Sequence, residues 1–535
     1  MHSPAKPLKE SLSPQLRSIL IFAITMGIIF RFVALDNKVY GFDEVETNLR
    51  VGGWTCAGVD QALFQNQIIP ARQLQQYQGI KPDSTVADTI YSLAVENPQH
   101  PPLYFLLARG WMLMCGSSIT ASRSLSMLLS LLSLPLMYLL AKILFNCHVT
   151  ALLATTLLSI SPVDLLFAQT ARQYSLLTVL ILASSYVLLQ AIHSRNQLFW
   201  GLYIVSSILG LYTHLVFGLT LISHGAYILL IQLNSTTDSQ QKSPNLLTQF
   251  MIAFTIILGC YLPWIITIFS YLNRTLSTTP LTTVPINFIE IVKSWILNFS
   301  AILIDTNLDI NHYYNYLIRL PAIILILLSI YHISSKKSNS IRLFILTSIS
   351  IPFLILLLPD ILIGGRRSTI AQYLIPCFPG IQLAMSHLFY TGINSRRFSL
   401  VNHSKTGKLI LIAFLTSSLI SCTVIIFSWT WWTKGISYWN GEVAQQINTE
   451  KSPLIVTDEG DYGINKSNLI SLSYRLNSDV ELLLMNKAPN FYLLPINSAI
   501  FIYAPSQKLQ QTMPPRYGQL EPVTESKQLW RLKQG

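Results

Sequence analysis

Apolar residues fall in long blocks along this chain rather than in stripes of helical or strand period. A block of 18 or more apolar residues with few charges is long enough to cross a hydrocarbon core as a helix, and roughly eleven or twelve blocks approach that length. The first runs from Ile19 to Leu35. The others occupy about 102–115, 121–145, 149–167, 175–192, 198–213, 215–233, 248–271, 315–334, 342–358, 369–391 and 408–430. The pattern predicts an all-α polytopic membrane protein of about 11–13 transmembrane helices. No small-residue cleavage site follows the first block, so residues 1–17 are read as a cytoplasmic N-terminus before an uncleaved span.

Polar interruptions organise the rest. Residues 36–100 form a first outer loop, in which "DQALFQNQIIPARQLQQYQ" has the pattern of short amphipathic helices at an interface. A second long loop covers 271–314, and "PDILIGGRRST" is a shorter break. After Trp432 the pattern changes to strand-like pieces ("PLIVT", "VELLLM", "FYLLP", "AIFIYA") with the helical "NLISLSYRL" between two of them. Residues 431–535 therefore read as a small soluble α/β domain appended to a membrane domain at 18–430. There is no internal repeat.

Charge sharpens this picture. Charged residues make up 11% of the 535, against about 25% in soluble domains, and 51% are hydrophobic. The net charge of +12 does not mark a nucleic-acid partner, because the basic residues sit in short connections: Lys6, Lys9 and Arg17, then Lys336, Lys337 and Arg342, then Arg396, Arg397, Lys405 and Lys408. Such loops lie on the cytoplasmic side under the positive-inside rule. That places the turn near Gln169, the His214 turn, 271–314, "GGRRST" and the C-terminal domain on the extracytoplasmic side of a cell (plasma or inner) membrane. One parity problem follows: three blocks separate His100 from Gln169, where an even number is needed. The block 102–115, about 21 Å long as a helix, is short of a roughly 30 Å core: either it is re-entrant or tilted with its flanks, or one loop lies on the other side. The six cysteines have neither disulfide-framework nor metal spacing.

Four stretches carry candidate chemistry. "YGFDEVETNLRVGG" puts Asp43 and Glu44 directly after the first span. The plain reading is a solvated loop start, with Asp43 able to cap a following helix. The sharper one is a carboxylate base at the lip of a low-dielectric cavity, suited to a hydroxyl acceptor. "ENPQHPPLYFLLARGW" fixes His100 before Pro101-Pro102, which pre-set the next helix. "SPVDLLFAQTARQYSLL" gathers Gln169, Arg172 and Tyr174 at a block boundary, where an interfacial anchor is the competing explanation. "GGRRSTIAQYLIP" offers Arg366, Arg367 and Tyr373. Basic residues on the outer side oppose the usual bias, and guanidinium groups bind phosphate bidentately. His214 in "YTH" is a weaker candidate.

The order of "FDEVETN", "HPPLYFLLARGW", "SPVDLLFAQTARQYSLL", "YTH" and "RRSTIAQYLIP" resembles the GT-C superfamily of membrane glycosyltransferases. It is most similar to the family 39/83 group, which includes protein O-mannosyltransferases and aminoarabinose transferases of lipid A. The resemblance covers roughly 18–430. It implies an inverting transferase with a polyprenyl-phosphate-linked sugar as donor, with Asp43 as base beside Glu44. It also puts His100 near the donor phosphate. The family's Glu-Ala-Arg-x-Tyr reads Thr170-Ala171-Arg172-Gln173-Tyr174, with Thr in place of the acid. Its Arg-Tyr-Leu-x-Pro carries Gln372 for the arginine, so phosphate binding falls to Arg366 or Arg367. Arg172 and His100 would share that role, with Gln169, Tyr174 and Tyr373 lining the substrate.

The chain is thus expected to move a sugar onto a hydroxyl of a lipid, polysaccharide or protein on the outer face. Its partners would be membrane lipids and the lipid-linked sugar, not nucleic acid. The chemistry admits a divalent metal, but no metal ligands are assigned. The rival class is a transporter or flippase of lipid-linked saccharides, for which pseudo-symmetric halves would be expected; the sequence has none.

Overall fold

The computed structural model describes residues 12–235, 246–277, 280–308, 312–335, 339–394, 403–461, 463–494, 499–513 and 518–533. Lys6, Lys9, Lys336, Lys337, Arg396 and Arg397 lie outside the described residues. The chain divides into two compact units. One comprises Met1–Val33, Asn97–Tyr104 and Arg123–Ile426, and the other Ala34–Glu96, Phe105–Ser122 and Phe427–Gly535. This differs from the division at 430/431 predicted above, because the first loop clusters with the C-terminal residues.

The first unit is helical. It opens with α1 (Pro14–Phe32); the next helices along the chain, α2 (Phe42–Val51), α3 (Cys56–Leu63), α4 (Val86–Glu96) and most of α5 (Leu103–Cys115), belong to the second unit. There follow α6 (Ile119–Phe145), α7 (His148–Ser159), α8 (Pro162–Ala168), α9 (Tyr174–Ser194), α10 (Gln197–Thr213), α11 (Phe217–Ser235) and α12 (Leu246–Ser270). The long helices Tyr313–Ser334, Asn339–Leu362, Phe378–Asn394 and His403–Phe427 complete it.

Among the described residues, eight helices are long and apolar enough to cross a membrane, or nine if α7 and α8, bent by 59°, form one span. That is fewer than the 11–13 read from the blocks. The block at 102–115 becomes the 13-residue α5, and that at 198–213 the 17-residue α10. The block at 369–391 opens as 3₁₀ turns over Ala371–Cys377, where Pro376 lacks a donor, before Phe378–Asn394 begins. Inside the predicted 271–314 loop a helix forms over Phe288–Ser300, capped by Asn287.

The break between α7 and α8 leaves helix-end carbonyls to be satisfied in an apolar setting. Arg31 of α1 supplies the donors. Its NH1 donates to Ser159 O and Gly27 O, its NH2 to Leu158 O at 3.3 Å, and its Nε to Ser130 Oγ at 3.2 Å. Gly27 permits this approach, since a Cβ there would overlap the Ser159 carbonyl. At the far end of α8 the favour is returned: Gln169 Nε2 donates to Phe30 O and Val33 O, each at 2.9 Å, closing the end of α1.

The second unit holds a six-stranded sheet. Its strands are β1 (Gln67–Pro70), β2 (Leu454–Thr457), β3 (Glu481–Leu484), β4 (Ile500–Tyr503), β5 (Gln519–Pro522) and β6 (Leu529–Lys533), in the order β1-β3-β2-β4-β6-β5. β2 runs parallel to β3 and β4, and the outer pairings are antiparallel. Every residue of β2 and β4 is buried, as central strands covered on both faces require. β2, β3, β4 and the helix Asn465–Ser473 match the sequence reading. "FYLLP" does not, because Asn490 accepts from the Tyr492 amide and folds Phe491–Leu493 into a 3₁₀ turn. β1 comes from the first loop: its antiparallel register sets Gln67 opposite Leu484 and Pro70 opposite Glu481.

Candidate functional site

In the second unit the acidic motif stands at the start of α2. The helix begins at Phe42 with Gly41 as N-cap, two residues earlier than an Asp43 cap would place it. Glu44 is the capping residue instead: its Oε2 accepts the Gly41 amide at 2.9 Å, leaving Asp43 in the first turn and exposed. Glu44 is 1% exposed and paired with Lys434 at 2.7 Å. Phe42 donates its amide to Ser437 Oγ, which itself bonds Asn468.

Glu46 is the hub of a third set. Its Oε2 pairs with Arg50 at 2.7 Å and accepts from Cys56 Sγ at 3.3 Å, while Oε1 accepts from Ser467 Oγ. Glu96 caps α3 through the amides of Cys56 and Ala57 and lies 3.7 Å from Arg50, and Lys466 pairs with Asp60 at 3.1 Å. Burial opposes ionisation of Glu46, but the charges of Arg50 and Lys466 outweigh it and hold its carboxyl down at about 2. Burial pushes the Cys56 thiol up to about 12, and raises Asp60 to about 6 against the pull of Lys466. Of the three clustered acids, two are thus engaged in buried ion pairs, and Asp43 is the one that faces outward.

The first unit gathers the second group. Residues 169–173 form the irregular link between α8 and α9. There Arg172, 6% exposed, lies over the Tyr174 ring with its guanidinium carbon 5.6 Å from the centroid and its Nε 3.4 Å from the phenol oxygen. The main chain of Arg172 accepts from Ser126 Oγ, which is bonded to Tyr104 OH at 2.8 Å. Gln173 Nε2 reaches His100 Nδ1 at 3.2 Å. The His100 ring meets that of His214 edge-on at 6.1 Å, and His214 meets Tyr373 at 6.3 Å. His214 accepts the Val216 amide on Nδ1. Burial, helped by the positive charge of Arg172, lowers its pKa to about 3 and keeps it neutral. Gln169 is occupied in closing the end of α1, a structural task.

Arg366 and Arg367 part company. Arg367 pairs with the buried Asp360 at 3.1 Å and donates to Gly364 O; the same carboxylate accepts the amides of Arg367 and Ser368 and the Ser368 hydroxyl. Gly365, at φ +134°, lets the loop close onto Asp360 and Thr282 O, which a Cβ would approach to 3.0 and 2.7 Å. The glycine pair serves this closure. Arg366 has an exposed side chain and no side-chain partner among the described residues. No group of three or more metal-ligating side chains occurs among the described residues.

Sequence reasoning missed Gln173, Lys434, Lys466 and Ser467. Gln173 had a signal in its place between Arg172 and Tyr174; the other three had none.

Residues 99–267 match a family model described as dolichyl-phosphate-mannose-protein mannosyltransferase. No curated protein matches significantly. Among solved structures the chain is similar to ArnT from Cupriavidus metallidurans in the apo state, with a TM-score of 0.51 at 10% identity over 97% of this chain and 98% of that one. The same protein bound to undecaprenyl phosphate gives 0.48 at 11% identity, again over 97% and 98%. The Archaeoglobus fulgidus oligosaccharyltransferase gives 0.47 at 11%, over 85% and 64%. The likeness to apo ArnT, which runs the length of both chains, is one of fold.

Proposed function

From this fold and the family-model match over 99–267, we infer that the chain is a multi-pass membrane glycosyltransferase that moves a sugar from a polyprenyl-phosphate donor to a hydroxyl acceptor. The observation that carries the reading is that the matched segment contains His100, Arg172, Tyr174 and His214, gathered with Tyr373 in one unit.

Asp43 takes the proton of the acceptor hydroxyl as its oxygen bonds the anomeric carbon. The bond from that carbon to the phosphate oxygen breaks on the opposite side, so the configuration inverts and polyprenyl phosphate leaves. Negative charge grows on the phosphate in this step. His100, Arg172 and Arg366 stabilise it, with Arg367 behind them on Asp360, and Tyr174 and Tyr373 line the sugar. The reaction face and the C-terminal residues are extracytoplasmic in a plasma or inner membrane, by the basic-loop bias.

The test is incubation of the purified protein with a panel of polyprenyl-phosphate sugars, following release of polyprenyl phosphate. One donor should be consumed, and Asp43→Asn should slow its turnover by at least about a hundredfold, the scale of a lost general base. Failure of every donor would overturn the reading, and near-normal turnover by a well-folded Asp43→Asn protein would remove Asp43 from it.

A further inference from the structure

Gln173 occupies the unspecified position between Arg172 and Tyr174. Its side chain is 0% exposed, and its amide nitrogen lies 3.2 Å from His100 Nδ1. With the amide NH₂ facing the ring it only donates, so Nδ1 accepts and the imidazole proton resides on Nε2 in this arrangement. The amide oxygen is buried with no hydrogen-bond partner among the described residues. An unmet buried acceptor is costly, and an apolar residue at this position would avoid that cost. Among the described residues, the side-chain bond this amide makes is the bond to His100.

Both partners are held in place. Trp264 Nε1 donates to Pro98 O at 3.0 Å and the His100 amide donates to Asn97 O at 2.9 Å, fixing the loop that carries the imidazole. Gln173 O accepts the Leu177 amide at 2.9 Å in the first turn of α9, fixing the amide.

We propose that Gln173 is a positioning residue that sets the ring plane and tautomer of His100, so that a neutral N–H at Nε2 is offered to the donor phosphate. This rests on the reading of His100 as a phosphate ligand.

A double-mutant cycle on the full-length protein in lipid nanodiscs tests it, with undecaprenyl phosphate as the titrated probe. Gln173→Leu should weaken binding about tenfold when His100 is present, and less than about twofold in a His100→Ala background. Equal losses in both backgrounds would reduce Gln173 to a packing role and overturn the inference while the phosphate reading stands. Unchanged binding by His100→Ala would overturn the phosphate reading itself.

Gln173→Glu provides a second arm that survives poor folding of the Leu variant. A carboxylate cannot donate to Nδ1. It would move the proton there and leave a lone pair on Nε2 facing the phosphate, until acid supplies the imidazolium. Binding should therefore be weak at pH 8 and recover at least several-fold by pH 6. A titratable ring, that of His214, meets His100 edge-on, and the charge of Arg172 acts on His214. Neither changes protonation over this range, since His214 titrates at about 3 and arginine stays charged. A pH-independent affinity equal to that of the native protein would overturn the tautomer assignment.

Discussion

Replacing Glu44 with Gln leaves an oxygen for the Gly41 amide and removes only the charge facing Lys434. The two groups are 2.7 Å apart, with side chains 1% and 4% exposed. At an effective dielectric constant of 20 their gross attraction is about 6 kcal/mol. Much of that offsets the desolvation of both ions, so the pair contributes little net stability. Breaking it is another matter, because the Lys434 charge stays buried without the carboxylate it faces, at a cost of about 3–5 kcal/mol. For a unit of this size that corresponds to roughly 6–20 °C in melting temperature. The assay is intrinsic-fluorescence melting of the detergent-solubilised protein, with hydrogen exchange over 41–51 to localise the effect. Glu44→Gln combined with Lys434→Met removes both charges and should recover most of the loss. The reasoning is refuted if Glu44→Gln melts within about 1 °C of the native protein, or if the double variant is less stable than the single one.

Acid should weaken the second unit through Glu46. Its folded pKa lies below its ordinary value of 4.5, so its contribution is full above 4.5 and fades as pH falls towards about 2. Melting temperatures followed from pH 5 to pH 2.5 should decline less steeply for Glu46→Gln than for the native protein. Arg366→Gln should weaken donor binding about ten- to a hundredfold in a donor titration, whereas Arg367→Gln should chiefly lower the melting temperature by releasing Asp360. Cysteine-accessibility labelling on a cysteine-free background should find 275–310 and 450–530 outside and 335–342 and 395–408 inside; cytoplasmic labelling of 450–530 would reverse the proposed sidedness.

The membrane helices were legible because apolar length is a one-dimensional signal that needs no knowledge of neighbours. Strands β2 to β4 were legible for a similar reason: buried strands write their hydrophobicity into four or five consecutive residues. β1 was not. "QIIP" is too short to stand out, and what makes it a strand is a partner more than 400 residues later. The acidic motif shows the same limit. The stretch after the first span sets Asp43, Glu44 and Glu46 side by side. What separates them is Lys434, 390 residues from Glu44, and Ser467, 421 residues from Glu46. A single sequence carries no record of such pairings. The "GG" before Arg366 shows it once more, since the room it leaves is taken by the loop's own carboxylate.

The mutual closure of α1 and α8 bears on how the protein is made. α1 leaves the ribosome before α7 and α8, and it carries Arg31 in its last turn. The carbonyls that satisfy that guanidinium belong to residues 127 and 128 positions further on. At a synthesis rate of about 5–20 residues per second they arrive several seconds later. During that interval the guanidinium has to find water or headgroups at the helix end instead, so α1 by itself sits less deeply than the finished protein holds it. The first helix must wait, held at the translocon or at the interface, until α7 and α8 follow. Insertion of this half of the protein then becomes one cooperative event rather than a series of independent ones.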